Sequence, residues 1–121
     1  MCNEQVGGFV METKTLREVC CLVPVSRRAI QGYEQAGLVA PIGKNKYGYH
    51  LYNEEAIEKI KMIKQYQDFG FSMKTIKKLL EAQKEEYIVM MIERLTGMKK
   101  EVLELEMNIR KLQQIIMEEQ Q

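Results

Sequence analysis

The apolar positions of this chain change period along its length. From Thr15, the residues Leu16, Val19, Cys20 and Val23 recur at helical spacing, with Thr13 or Thr15 available as a cap, and predict a short first helix. Pro24 breaks the run, Ser26 caps a second helix over Arg27–Gln35, and Gly37 supplies a left-handed stop. Two helices joined by so tight a turn form a helix-turn-helix, a unit whose second member fits a major groove. The stretch Leu38–Tyr52 loses the helical period. Pro41, Gly43 and Gly48 punctuate it, and Tyr47, Tyr49 and Leu51 alternate on one side, which predicts a β-hairpin or wing. Asn53 then caps a third helix with Glu54 and Glu55 in its first turn and Ile57, Ile60, Ile63 and Tyr66 as its apolar stripe. Gly70 ends it, and Ser72 opens a fourth helix with Met73, Ile76, Leu79 and Leu80 inward and Lys74, Lys77 and Lys78 opposite.

From about Glu86 the period becomes seven. Ile88, Leu95, Val102, Ile109 and Ile116 occupy a positions, and Met91, Met98, Leu105 and Leu112 occupy d positions. So narrow and long a stripe cannot be buried by one small head, so a partner helix is required, and mostly β-branched a residues with Leu or Met at d favour two strands. A parallel pair would set Arg94 against Lys99 and Glu101 against Glu106 of the other chain, so the charges favour an antiparallel pair. Gly97 costs such a helix about 1 kcal/mol against alanine, and a helical hairpin within one chain, broken at Thr96 and Gly97, is the rival arrangement. The fold class expected is mainly α: a winged helix-turn-helix head, residues 13–84, with a small β-hairpin wing, followed by a coiled-coil dimerisation helix, residues 85–121. Residues 1–12, which lack periodicity, are expected to be a disordered leader.

Composition narrows the chemistry. At 121 residues with 45% hydrophobic and 29% charged positions, the chain suits a single soluble domain with an extension, not a multidomain enzyme. Uncharged runs such as Val19–Ser26 fall far short of the roughly 20 apolar residues of a membrane span, and no secretory signal opens the chain, so no membrane is expected and a cytoplasmic location is. One histidine, His50, and three cysteines, Cys2, Cys20 and Cys21, provide no zinc-ligand spacing, so no metal and no cofactor is expected. Cys20 and Cys21 read as a buried and a half-exposed member of the first helix, without a basic neighbour to support a thiol switch. No nucleophile elbow, phosphate-binding glycine loop or placed carboxylate pair is present, so catalysis is not expected. The net charge of +1 conceals a division: residues 12–82 carry twelve Lys or Arg against eight Asp or Glu, whereas residues 83–121 carry six against eight. A basic head on an acidic tail fits nucleic-acid binding, although solvated lysines alone produce the same balance.

The runs Thr15-Leu-Arg-Glu-Val, Pro24-Val-Ser-Arg-Arg-Ala-Ile-Gln-Gly-Tyr-Glu-Gln-Ala-Gly-Leu-Val-Ala-Pro41 and Tyr47-Gly-Tyr-His-Leu-Tyr52 resemble the DNA-binding domain of MerR-family transcription regulators. Ile63–Leu80, containing Phe69-Gly-Phe-Ser-Met, is similar to that family's second helix pair, and the terminal helix to its dimerisation element. The resemblance implies a winged-helix homodimer whose antiparallel coiled coil spaces two heads on a palindromic promoter, distorts that DNA and meets RNA polymerase there. It also implies a short form, without the large C-terminal effector domain of the drug-sensing branches. The metal-sensing branches' cysteines around the dimerisation helix have no counterpart beyond Cys21. The family's usual Thr-Leu-Arg-Tyr-Tyr-Glu is here Ala29-Ile-Gln-Gly-Tyr-Glu34, and its Gly-Tyr-Arg wing is Gly48-Tyr-His50.

Candidate DNA contacts follow from chemistry and resemblance together. Arg27 and Arg28 open the second helix, where a guanidinium fork can grip guanine or phosphate; their bland alternative is a solvated pair. Ser26 can cap, donate to phosphate, or both. Gln31 retains hydrogen bonding without charge, and Tyr33 can equally contact DNA or pack in the core. Lys44, Lys46, Tyr47, Tyr49 and His50 provide charge and hydrogen bonds in the wing. The resemblance adds Thr15 and Arg17. Lys74, Lys77 and Lys78 read as a solvated face that could also meet flanking phosphates. The competing function is a protein-interaction adaptor whose second helix no longer reads DNA and whose coiled coil recruits another regulator, a reading motivated by Gln31 and Gly32.

Overall fold

A computed structural model of the chain describes residues 12–121, so the expected leader, residues 1–12, lies outside the described residues except for Glu12. Three short strands and five helices follow in the order β1 (Thr13–Thr15), α1 (Leu16–Leu22), α2 (Arg27–Gln35), β2 (Gly43–Lys44), β3 (His50–Asn53), α3 (Glu54–Asp68), α4 (Met73–Glu81) and α5 (Lys84–Glu119). The chain divides into two units between Lys78 and Leu79; the boundary expected from sequence followed residue 84.

In the first unit each helix begins where a short polar side chain caps it. Thr15 and Glu18 form a reciprocal capping box on α1, the Thr15 hydroxyl accepting from the Glu18 N–H and the Glu18 carboxylate accepting from the Thr15 N–H at 2.8 Å. Ser26 Oγ accepts from the Ala29 N–H at 3.0 Å, Asn53 Oδ1 from Ala56 at 2.9 Å and Ser72 Oγ from Thr75 at 3.2 Å. The ends of α2 and α3 share one device. Beyond α2, Gly37 turns left-handed at φ 76° and the Leu38 N–H reaches back to the Tyr33 carbonyl at 3.0 Å; beyond α3, Phe71 reaches the Tyr66 carbonyl at 3.1 Å.

The wing is larger than a hairpin. Strand β3 is central in a three-stranded antiparallel sheet, with β2 on one side and β1 on the other, Thr13 opposite Asn53 and Thr15 opposite Leu51. Thr13–Thr15 was expected only as a helix cap; pairing with a strand some 38 residues away carries no local signal. The expected alternation of Tyr47, Tyr49 and Leu51 along one strand is also corrected, because β3 begins at His50 and both tyrosines belong to the turn before it. Val19, Ile30, Tyr33, Tyr52, Ile60, Ile63 and Ile76 are fully buried, so α1, α2, β3, α3 and α4 all contribute to one core.

In the second unit, α5 runs unbroken from Lys84 to Glu119 and has no buried residue. Gly97 lies inside it without a break, which removes the intrachain hairpin. Of the nine seam residues, Ile88, Leu95, Met98, Val102, Leu105, Ile109, Leu112 and Ile116 are exposed and Met91 is half-buried. Arg94 meets Glu101 of its own helix at 2.9 Å. Among the described residues, no helix is long and apolar enough to cross a membrane.

Candidate nucleic-acid interface

Three segments far apart in sequence meet at one groove of the first unit. The start of α1 contributes Thr15, Leu16 and Arg17, the start of α2 contributes Arg27, and the wing contributes Gly48, Tyr49 and His50, around a volume of about 470 Å³. Five of the residues expected from sequence, Thr15, Arg17, Arg27, Tyr49 and His50, therefore line one groove. Arg28 and Gln31 stand exposed on α2, and Lys44, Lys46 and Tyr47 stand exposed in the wing, outside this groove. Ser26 is exposed and committed to its cap through the Ala29 N–H.

Tyr33 is a correction to the contact set. It is 1% exposed, and its hydroxyl lies 2.7 Å from Gln67 Oε1, to which it donates. Burial also holds its ionisation above the usual phenol range. A side chain so placed cannot touch DNA while the head is folded; its task is to anchor α2 to α3.

A second tether holds α2 from the sheet side. The Tyr52 ring is fully buried in β3 and its hydroxyl donates to a Glu34 carboxylate oxygen. Burial first, and then this carboxylate, push the Tyr52 hydroxyl well above the ordinary phenol range. The bond has an electrostatic consequence for the outer face, because Glu34 is the one acidic residue of α2 and is drawn towards β3. The exposed residues of α2 are then Arg27, Arg28, Gln31 and Gln35, a surface with cations and amides and no carboxylate.

The wing tip is built by Asn45, which sequence reasoning passed over. Its Oδ1 accepts from the Tyr47 N–H at 2.9 Å and the Tyr49 N–H at 3.0 Å, its own N–H donates to the Tyr49 carbonyl at 2.9 Å, and its carbonyl accepts from Gly48 at 2.9 Å. Gly48 completes the turn at φ 83°, a conformation that favours glycine. The legible signal was an Asn three residues before a Gly, a combination typical of turns. As a result Tyr47 and Tyr49 project into solvent, 70% and 63% exposed, and the Lys46 ammonium sits 5.2 Å from the Tyr47 ring centroid. Gln67, Glu34 and Gln35 were likewise missed; only Gln35, one turn beyond Gln31, could have been found from helical spacing.

At the start of α1, the backbone N–H of Thr15 is the main influence that lowers the Glu18 carboxyl below its ordinary value, so the cap beside Arg17 is ionised. Cys20 is half-buried and Cys21 exposed, both as free thiols. No group of three or more His, Cys, Asp or Glu among the described residues is arranged to hold a metal ion.

The arrangement can grip a polyanion from three sides: two arginines at the start of α2, one at the start of α1, and a rigid aromatic and basic wing. Comparisons with known proteins bear on the family. The profile of the MerR HTH family of regulatory proteins matches residues 14–83. A probable heavy metal-dependent transcriptional regulator of Haemophilus influenzae is 28% identical over 104 residues, 81% of this chain and 81% of that protein. The mercuric resistance operon regulatory protein of Bacillus cereus is 32% identical over 56 residues, 46% of this chain and 42% of its own length, so this chain spans less than half of it. Among solved structures, the N-terminal part of MtaN, the Bacillus subtilis multidrug transporter activator, matches with a TM-score of 0.72 at 19% identity over 85% of this chain and 97% of that one. HiNmlR, a MerR-family regulator lacking the sensor domain and bound to promoter DNA, matches with a TM-score of 0.65 at 18% identity over 80% and 78% of the two chains. The structural likenesses carry the fold, and the profile spans more than half of the sequence, from the cap of α1 through α4. With that span matched and the basic groove in place, the chain belongs to the MerR family of helix-turn-helix, DNA-binding regulators of transcription.

Proposed function

We propose that this protein is a homodimeric, sequence-specific regulator that binds a palindromic promoter in the cytoplasm and acts by distorting the DNA, with RNA polymerase as its second macromolecular partner there. The observation that carries the reading is the convergence of Arg17, Arg27, Tyr49 and His50 on one groove of the head. It is supported by the exposed heptad seam of α5, from Ile88 to Ile116, which a second copy would bury in a coiled coil, with the antiparallel arrangement retained as part of the proposal. Two heads joined in this way present two copies of α2, and a two-fold axis between them calls for two inverted half-sites. Arg27 and Arg28 of α2 reach base edges or phosphates, Arg17 and Thr15 the adjoining backbone, and Lys44, Lys46, Tyr47, Tyr49 and His50 the flanking strand.

The test is selection of bound duplexes from a random pool by the full chain. The expected product is an inverted repeat bound with an affinity that falls steeply as salt rises, because each neutralised phosphate releases counterions. Absence of salt-sensitive binding to any duplex, or a monomer in analytical ultracentrifugation at the binding concentration, refutes the proposal. Gln31 and Gly32 place no charge in the middle of α2 and favour one other reading, an adaptor that works through α5 alone. That reading requires a stoichiometric helical partner and no selected repeat.

A further inference from the structure

Gly32 is the sixth of nine residues in α2, and nothing among the described residues requires it to be glycine. Its backbone is helical, since the positive-φ glycines among the described residues are Gly37, Gly48 and Gly70. Beyond its chain neighbours and the backbone of its own helix, a Cβ added at Gly32 meets no atom of the described residues within 4 Å, so the space that alanine would use is open. Glycine is the poorest helix former after proline, and here it weakens a helix of only nine residues without an internal contact in return.

Its direction is informative. The buried residues of α2 are Ile30 and Tyr33. At 3.6 residues per turn the opposite side carries Arg28, Gln31, Gly32 and Gln35, so the missing side chain falls among the groups offered to DNA. The two tyrosine tethers, to Gln67 and Glu34, fix which side faces out. A helix with its side chains is about 10–12 Å across and a major groove about 12 Å wide, so the depth to which α2 can enter is set by what projects from this side.

We propose that Gly32 is a specificity-determining contact position, at which the bare backbone of α2 lies against the base-pair edges of the operator and lets Arg28 and Gln31 reach them. The inference rests on the DNA-binding reading above and deepens it. A single methyl group at this position would lift α2 away from the bases by the thickness of the added carbon, shortening the reach of both neighbouring side chains at once.

The experiment compares the full-length wild type with Gly32→Ala, with Gly97→Ala on α5 as the control for a glycine-to-alanine change in a helix. Three quantities are measured: melting temperature, the Kd for the selected duplex, and the Kd for a random-sequence duplex of equal length. For Gly32→Ala a melting temperature raised by about 4 °C is expected, with binding of the selected duplex weakened at least tenfold and binding of the random duplex changed less than twofold. Gly97→Ala should leave both Kd values unchanged. Wild-type affinity in Gly32→Ala overturns the inference, as does an equal loss on both duplexes, which would mark a phosphate contact, or a fall in melting temperature, which would mark an internal role. Failure of the wild type to select any duplex refutes the DNA-binding reading itself, so the two failures are distinct.

Discussion

Replacing Tyr52 by phenylalanine isolates the tether that orients α2. The ring is fully buried and phenylalanine preserves it, so the perturbation is loss of one hydroxyl and of its hydrogen bond to Glu34. A hydrogen bond to a charged group contributes about 1.5–3 kcal/mol, and Glu34 is half-buried, so water can reach part of the orphaned carboxylate; the lower end, about 1.5 kcal/mol, is the working value. For a unit of this size 1 kcal/mol corresponds to about 4–8 °C, so melting of the head should fall by about 6–12 °C. Thermal unfolding by calorimetry gives the total, and amide hydrogen exchange in α2 and β3 localises it. The cycle of Tyr52→Phe, Glu34→Gln and the double variant should return a coupling of about 1 kcal/mol or more. Alkaline pH supplies an independent reading. The folded Tyr52 hydroxyl ionises above its ordinary value of 10.0, so its contribution is intact below pH 10. It is lost as pH rises further, because the unfolded chain releases the proton first. Tyr52→Phe should therefore flatten the alkaline limb, leaving the smaller part due to Tyr33. Additive costs in the cycle, within about 0.3 kcal/mol, together with an unchanged alkaline limb, would show that the hydroxyl does not hold α2.

Further outcomes concern the other elements. Thr15→Ala should destabilise the head by about 1 kcal/mol in urea titrations, through loss of the α1 cap. Glu18 titrates below its ordinary 4.5 in the fold, so its contribution is full above pH 4.5 and disappears as pH falls through the lower folded value; Glu18→Gln should remove that acid dependence, and an unchanged acid limb would contradict it. Leu105→Glu puts a charge into the proposed seam of both chains and should weaken dimerisation about a hundredfold in sedimentation equilibrium, whereas an unaltered dimer would exclude this face. Arg17→Ala removes one cation from each head and should reduce the slope of log Kd against log salt by about two on the selected duplex; a slope identical to wild type means that Arg17 meets no phosphate.

Much that depends on neighbours within a turn or two was open to reading in the amino-acid sequence. Ser26, Asn53 and Ser72 mark helix starts because each side chain satisfies an amide three residues on, and Gly37 and Gly70 mark stops because the chain must turn left-handed there. The heptads of α5 are equally local, since one period repeats along one helix. The family was legible for the same reason, because its motifs are contiguous. What the sequence could not decide was which distant groups meet. Nothing near Thr13 announces a strand until β3 is beside it, and nothing near Tyr33 states whether its hydroxyl faces Gln67 or DNA. Only packing chose, since a buried ring and its donor must find an acceptor wherever the fold brings one. The same choice turned Glu34 towards Tyr52 and left the outer side of α2 without a carboxylate, a property of the site that belongs to the tertiary structure alone.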